Sequence, residues 1–369
     1  MVKMSGSHRE SRESVSAAQS DMDSVRAYSR LFDNLYLFVT ERCQLRCGHC
    51  YMGQRLARAT DMPTDFAIDT MSYLRRLGSR YLTIVGGEPT LHPDLPELIR
   101  KAREFGFDKV MLETNGLRAS AVVRSIRPED LFYVRVSLDG ASAATHDFVR
   151  GPGNFDRAVA AIRALVEAGF SVRVTTTVFS FSVPEVPDVV RLAGRLGVQL
   201  VNLHSFSEEG LGAAQEGWSI GHSEWQGLAG ILPQVASEAG VRVRFPPTWV
   251  PTASLADCAA HGYRGCVGAT LDRLSVFPDG RAYVCSLLFD HPLNFAQMTT
   301  DGLVLNREQN EFELFAGAMA SAQTRERSGC PAERFLSHND TAPSRSEVSV
   351  CRLWRMEMEP LIQGPIEAQ

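Results

Sequence analysis

The stretch from Leu35 to Tyr51, LYLFVTERCQLRCGHCY, constrains this chain more than any other. It opens with a short apolar run, Leu35 to Val39, whose length and aromatic and β-branched content fit a buried strand. Directly after that run come Cys43, Cys47 and Cys50, in the spacing C-x3-C-x2-C. A loop of this kind can wrap three thiolates around one corner of an iron–sulfur cube. A [4Fe–4S] cluster has four irons and normally takes four Cys ligands, so three local thiolates leave one iron open to something that is not protein.

Two other readings of the same residues stay open. One is a structural zinc site, although those favour C-x2-C pairs with a fourth ligand nearby. The other starts from Cys47-Gly48-His49-Cys50, since C-x-x-C at a helix start can be a thiol–disulfide redox pair. A third cysteine at Cys43 and an arginine at Arg46, where thioredoxin-like proteins usually carry Trp, stand against the redox pair.

From Leu35 onward short β-like runs alternate with amphipathic stretches, the pattern of βα units and a parallel sheet. The strand candidates are Leu35–Val39, Tyr81–Val85, Lys109–Glu113, Phe132–Ser137, Ser171–Val178 and Val198–His204. The helical candidates between them are Pro63–Leu77, Leu95–Phe105, Ala119–Ile126, Phe155–Ala168 and Val186–Leu196. Gly78, Gly106, Gly169 and Gly197 each stand just past a helical stretch, where a C-terminal cap belongs. Six such units fit an open, partial (β/α)6 TIM-like barrel, in which function collects at the C-terminal ends of the strands.

The motifs do follow the strands. Gly86-Gly87-Glu88-Pro89 comes after the second, Glu113-Thr114-Asn115-Gly116 ends the third, and Ser137-Leu138-Asp139-Gly140 ends the fourth. Paired glycines permit close backbone approach and Glu88 adds an acceptor, while Asn-Gly and Asp-Gly also form turns on their own account. Arg150, in His146 to Gly151, can hold a carboxylate bidentately or serve a structural ion pair. Thr175, Thr176 and Thr177 lie on the fifth strand, and parity alone does not say which of them face inward. His204 ends the sixth strand and is a candidate substrate contact. The Gly- and Glu-rich stretch Ser205 to Ile220, with Trp218, reads as a long loop over the barrel mouth.

With these motifs in order, the chain resembles the radical S-adenosylmethionine (radical SAM) enzymes. The resemblance implies a [4Fe–4S] cluster held by Cys43, Cys47 and Cys50, with S-adenosylmethionine on the open iron. It implies contacts to that cofactor from Gly86, Gly87, Glu88, Pro89, Asn115, Ser137 and Asp139. It also implies a flavodoxin- or ferredoxin-like electron donor.

Five further cysteines, Cys258, Cys266, Cys285, Cys330 and Cys351, lie beyond Pro246-Pro247. Pro278-Asp279-Gly280 is a turn signal between Leu271–Phe277 and Arg281–Val284, so Cys285 ends a β-hairpin. This resembles the twitch and SPASM extensions, which bind auxiliary [4Fe–4S] clusters. The order is similar to that of the anaerobic sulfatase-maturating enzymes, and the resemblance then selects Cys258, Cys266, Cys285 and Cys330 as ligands. Cys351 is left as an alternative ligand, a buried thiol, or a hydrogen-atom donor to a substrate radical.

The expected organisation is a disordered lead-in over 1–30, a radical SAM core over 31–245, a small cysteine-rich hairpin-and-helix extension over 246–355, and a tail over 356–369. A net charge of -5 without a long basic run argues against nucleic acid. No apolar run is long enough to span a membrane. Eight cysteines without a secretion signal point to a reducing cytoplasm. The expected activity is hydrogen abstraction from a small natural-product intermediate, by dehydrogenation or epimerisation. A ribosomally made peptide is the alternative substrate.

Overall fold

The computed structural model describes residues 32–246, 249–260, 266–289, 291–307, 310–311, 347–349 and 356–358. The expected lead-in, Cys330, Cys351 and all of the expected tail beyond 358 lie outside the described residues.

The six expected strands are β1 (Asn34–Phe38), β2 (Tyr81–Val85), β3 (Lys109–Thr114), β4 (Tyr133–Ser137), β5 (Val172–Val178) and β6 (Leu200–Ser205). They lie parallel and in chain order. Two strands beyond the six barrel candidates extend this wall, one of them from the expected hairpin. β7 (Arg242–Phe245) pairs parallel with β6. After β8 (Trp249–Pro251), which stands apart, β9 (Arg273–Val276) pairs parallel with the other side of β1. A partial α/β barrel results, broader than six strands because β7 pairs with β6 and the first hairpin strand pairs with β1. β9 turns through Pro278-Asp279-Gly280 into β10 (Arg281–Tyr283), the expected hairpin, and β11 (Ala296–Thr299) and β12 (Gly302–Leu305) continue the same sheet antiparallel. The hairpin is therefore hydrogen-bonded directly onto the barrel wall. β13 (Glu347–Ser349) pairs with β8, and β14 (Met356–Met358) closes the β7 edge antiparallel.

Strand alternation decides what faces the lumen. Leu35, Leu37, Leu82, Ile84, Val134 and Val136 are 0 % exposed and pack in one core with the helices. Each such side chain contributes ~1.5–3 kcal/mol by burial. Residues of the opposite parity, among them Tyr36, Glu113, Arg135, Ser137, Thr175, Thr177 and Arg273, line a cavity. Thr176 faces away, and its hydroxyl donates to Leu138 O at 2.7 Å. The four glycines expected at helix ends all adopt positive φ, from 75° at Gly197 to 117° at Gly78.

One buried cation joins the cysteine loop to the hairpin. Arg55 is 0 % exposed, and its Nη1 lies 2.9 Å from Glu41 Oε1 and 3.3 Å from Asp279 Oδ2. Its Nη2 donates to the Tyr283 hydroxyl at 3.3 Å, and its Cζ lies 4.0 Å from the Phe277 ring centroid. Arg55→Met should cost ~3 kcal/mol in urea unfolding, because it leaves the buried Glu41 with only the partly exposed Arg58, at 3.8 Å, as counter-charge. Adding Glu41→Leu should recover part of that loss; full additivity of the two changes would show that the pair is not coupled.

Candidate functional site

A cavity of about 290 Å³ opens at the C-terminal ends of the parallel strands. Cys43, Cys47 and Cys50 line it together with Gly86, Gly87, Glu88, Asn115, Ser137, Arg150 and His204. Pro89 and Asp139 do not reach it.

The cysteine loop is fixed from three sides. Gly87 N and Glu88 N donate to Thr40 O and Arg42 O, both at 2.7 Å. A Cβ on Gly86 would stand 2.5 Å from Thr40 O, and one on Gly87 would stand 2.4 Å from Arg42 O. The paired glycines are thus required by the neighbouring backbone. On the far side Leu211 N donates to Cys50 O at 2.8 Å, and the Trp218 ring lies 2.8 Å from where a Gly48 Cβ would be. The long loop after β6 therefore packs on the cysteine loop, and it gives Phe206 and Ser207 to the cavity.

Glu88 is 1 % exposed and ties two loops together. Its Oε1 accepts from Thr90 N at 3.2 Å, Thr90 Oγ1 at 2.5 Å and Thr114 Oγ1 at 2.7 Å, and its Oε2 accepts from Asn115 N at 2.8 Å. Burial raises its pKa against these donors. The Asn115 side chain so held reaches Cys43 Sγ at 3.9 Å.

The helix Ala143–Arg150 was read from sequence only as a motif. Its last residue, Arg150, donates to Asp139 Oδ2 at 2.6 Å and reaches Cys47 Sγ at 3.9 Å. Asp139 is 0 % exposed, and its other oxygen accepts from Thr177 N at 2.8 Å. Of the two roles open for Arg150, the structure displays the ion pair, and Asp139 acts by holding Arg150 rather than by lining the cavity. His49 turns toward the same pair, 3.6 Å from Asp139 Oδ2, and burial lowers its pKa to about 4.

Every thiol of the loop accepts an N–H. Cys43 takes one from Leu45 N at 3.4 Å, Cys47 one from Arg150, and Cys50 one from the Met52 backbone. Burial still pushes all three thiols up, Cys50 to about 11. Reactive C-x-x-C pairs need a lowered pKa, so the disulfide-exchange reading finds no support in this environment. Among the described residues no three His, Cys, Asp or Glu side chains are grouped to hold a metal ion. Thiols spread along one cavity, each with an N–H donor, suit a multi-iron cluster, whose sulfur charge such donors stabilise.

In the second cysteine set, Cys258 lies in the helix Leu255–Ala260, Cys266 precedes Val267–Thr270, and Cys285 follows β10. The 0 %-exposed Glu311 carboxylate accepts from Val284 N, and from Cys285 N at 3.3 Å, which pins Cys285. Ser286, Leu287 and Phe289, directly after it, line the cavity.

Arg135, which pairs with Glu113 and donates to the Tyr133 hydroxyl at 2.7 Å, and Arg273 line the cavity outside every motif of the sequence. The signal for both is an arginine inside a strand.

Residues 37–193 match the family model of the radical SAM superfamily. The chain is 30% identical over 229 residues to the AdoMet-dependent heme synthase of Methanosarcina barkeri, covering 61% of this chain and 62% of that protein, less than two thirds of its length. It is 28% identical over 311 residues to the mycofactocin maturase of Mycobacterium tuberculosis, covering 81% of this chain and 78% of that protein. The fold is shared with anSMEcpe, solved with bound AdoMet and the Kp18Cys peptide, at a TM-score of 0.62 and 15% identity over 86% of this chain and 93% of that one. No described helix is long and apolar enough to cross a membrane.

Two outcomes follow from the polar network. Glu88→Gln should lose roughly 2–3 kcal/mol in urea unfolding, since an amide NH2 would face donors that now meet a carboxylate; an unchanged midpoint would remove Glu88 as the tie between the loops. His146, 1 % exposed, accepts from Asp139 N at 3.2 Å, and its pKa is lowered to about 4 by burial and then by Arg150. The unfolded chain binds the extra proton between its ordinary value of ~6.5 and that folded value. Stability should be complete above the unfolded value and fall as pH drops through the folded one, by up to ~3 kcal/mol. Urea unfolding across that range should show a shallower pH slope in His146→Gln.

Proposed function

We propose that this chain, whose residues 37–193 are a radical SAM domain, is an enzyme that modifies a peptide by abstracting a hydrogen atom from an unactivated carbon. The observation that carries the peptide is the reach of the likeness to mycofactocin maturase. It covers 81% of this chain, too much to stop at the domain, and so takes in the hairpin of β9 and β10. A small natural-product intermediate, favoured by the sequence alone, has in its support the haem synthase likeness, which covers 61% of this chain.

Cys43, Cys47 and Cys50 would hold a [4Fe–4S] cluster. Gly86, Gly87, Glu88, Asn115 and Ser137 would frame S-adenosylmethionine, with Pro89 and Asp139 shaping the loops behind them. Bound together, the two groups supply the one-electron chemistry that removes a substrate hydrogen atom. The chain's own residues prepare that site. Leu45 N, Asn115 and Arg150 direct N–H groups at the sulfurs, and Asp139 fixes Arg150 in place. Phe38, Phe206, Leu287 and Phe289 give the cavity apolar wall that keeps water from a reactive carbon. Cys258, Cys266, Cys285 and Cys330 would hold an auxiliary [4Fe–4S] cluster, with Cys351 as the alternative to Cys258. That cluster would supply an electron acceptor for a substrate radical, which with loss of a proton to solvent would make the reaction a dehydrogenation. Cys351 as hydrogen-atom donor would instead make it an epimerisation, with the thiyl radical left behind reduced and protonated before the next turnover. A flavodoxin- or ferredoxin-like protein would supply the reducing electron.

Protein reconstituted without oxygen should hold about eight irons, as each [4Fe–4S] cluster holds four. A Cys43/Cys47/Cys50 triple Ala variant should keep about four and lose reductive cleavage of S-adenosylmethionine. Zinc in place of iron would overturn the assignment, and about four irons in the wild type would remove the auxiliary cluster.

A further inference from the structure

The lumen below the cysteine loop holds a cation that has no counter-ion among the described residues. Arg273 lies on β9, in register with Asn34 at the start of β1, and lines the same cavity as the three cysteines. Its Nε is buried without a hydrogen-bond partner, and no ion pair to it is present among the described residues. Its Cζ lies 4.9 Å from the Tyr36 ring centroid, a contact that steadies the guanidinium but satisfies none of its N–H groups. Ser275, next on the same face of β9, is 3 % exposed and also lines the cavity. The neighbouring Asp272 carboxylate is taken by Asn34, at 3.3 Å.

The other charges of the cavity are matched. Arg135 pairs with Glu113, Arg150 pairs with Asp139, and Glu88 is saturated by hydroxyl and amide donors. Thr175 Oγ1 and Arg135 Nε, on the wall formed by β4 and β5, are likewise buried polar atoms without a partner. A buried donor left without a partner is costly, and the Arg273 Nε is such a donor on a half-buried side chain. Asn34 lies four residues before Phe38, at which β1 ends toward the cysteine loop, so the register sets Arg273 roughly 13 Å of strand rise below that end.

We propose that Arg273, with Ser275 beside it, is an anion subsite on the cavity floor that binds a substrate oxyanion, a carboxylate or a phosphate, while the rest of the substrate extends up toward the cysteine loop. The proposal rests on the radical SAM reading only in naming the anion as the substrate's. A guanidinium presents a rigid fork of donors that matches an oxyanion, and the serine hydroxyl adds a further donor. A substrate anchored there has its reacting carbon positioned by distance from the anion, which is how one fixed contact selects one carbon in a flexible molecule.

Equilibrium dialysis of anaerobically reconstituted holoenzyme tests this, with succinate and inorganic phosphate as probes and iron content and S-adenosylmethionine binding measured on the same samples. Saturable binding of at least one probe is expected, weakened about tenfold or more in Arg273→Gln and partly kept in Arg273→Lys, with iron and S-adenosylmethionine binding unchanged. Succinate bound in preference assigns a carboxylate, and phosphate in preference assigns a phosphate. No saturable binding to the wild type, or equal binding to Arg273→Gln, overturns the subsite. Displacement of the probe by saturating S-adenosylmethionine overturns its assignment to the substrate. Wild type that holds no iron and no S-adenosylmethionine overturns the radical SAM reading instead, whatever the probes do.

Discussion

The Arg55 guanidinium is the joint on which the rest of this structure depends. It is buried against the Phe277 ring and shared between Glu41, at the start of the cysteine loop, and Asp279 and Tyr283 of the hairpin. Burying a cation is costly unless opposite charge and hydrogen bonds surround it. Here they come from two segments far apart in sequence, so the cysteine loop and the hairpin must take up their places together. Phe38 stacks on Phe277 with centroids 4.1 Å apart, and Phe289 meets both rings, which adds an apolar seam beside the polar one.

The same logic runs through the cavity. Strand parity puts aliphatic residues against the helices and polar ones in the lumen, which leaves each polar group to find a partner there. Glu88 finds backbone and hydroxyl donors on two loops, and Asp139 finds Arg150 and Thr177. The Glu88–Asn115 and Asp139–Arg150 contacts also stand behind residues that reach a cysteine sulfur. The thiols are thereby held in a partly to fully buried setting that pushes their pKa values up while N–H donors reach the sulfurs.

Much of the candidate site was legible because its spacing is local. Cys43, Cys47 and Cys50 are close in sequence, GGEP and the Asn115 and Ser137 motifs directly follow strands, and the hairpin announced itself by Pro-Asp-Gly. The parts that were not legible are long-range. Nothing local says that β9 lies parallel to β1, so Arg273 read as one more charged residue in a hairpin strand. The helix Ala143–Arg150 is two turns long, too short for a clear period, and so its delivery of Arg150 to Cys47 was invisible.

By itself the sequence determined the order of the βα units, the thiol set and the motif that ends each strand. These follow from periods of two and near four, and from turn residues that act over a few positions. Only the tertiary structure decided which face of each strand is the lumen, that the glycines of GGEP answer to the carbonyls of Thr40 and Arg42, and that the hairpin completes the barrel wall. Those outcomes depend on strands meeting neighbours from distant parts of the chain. A burial energy summed over many such contacts selects the arrangement, and no short stretch of sequence carries that sum.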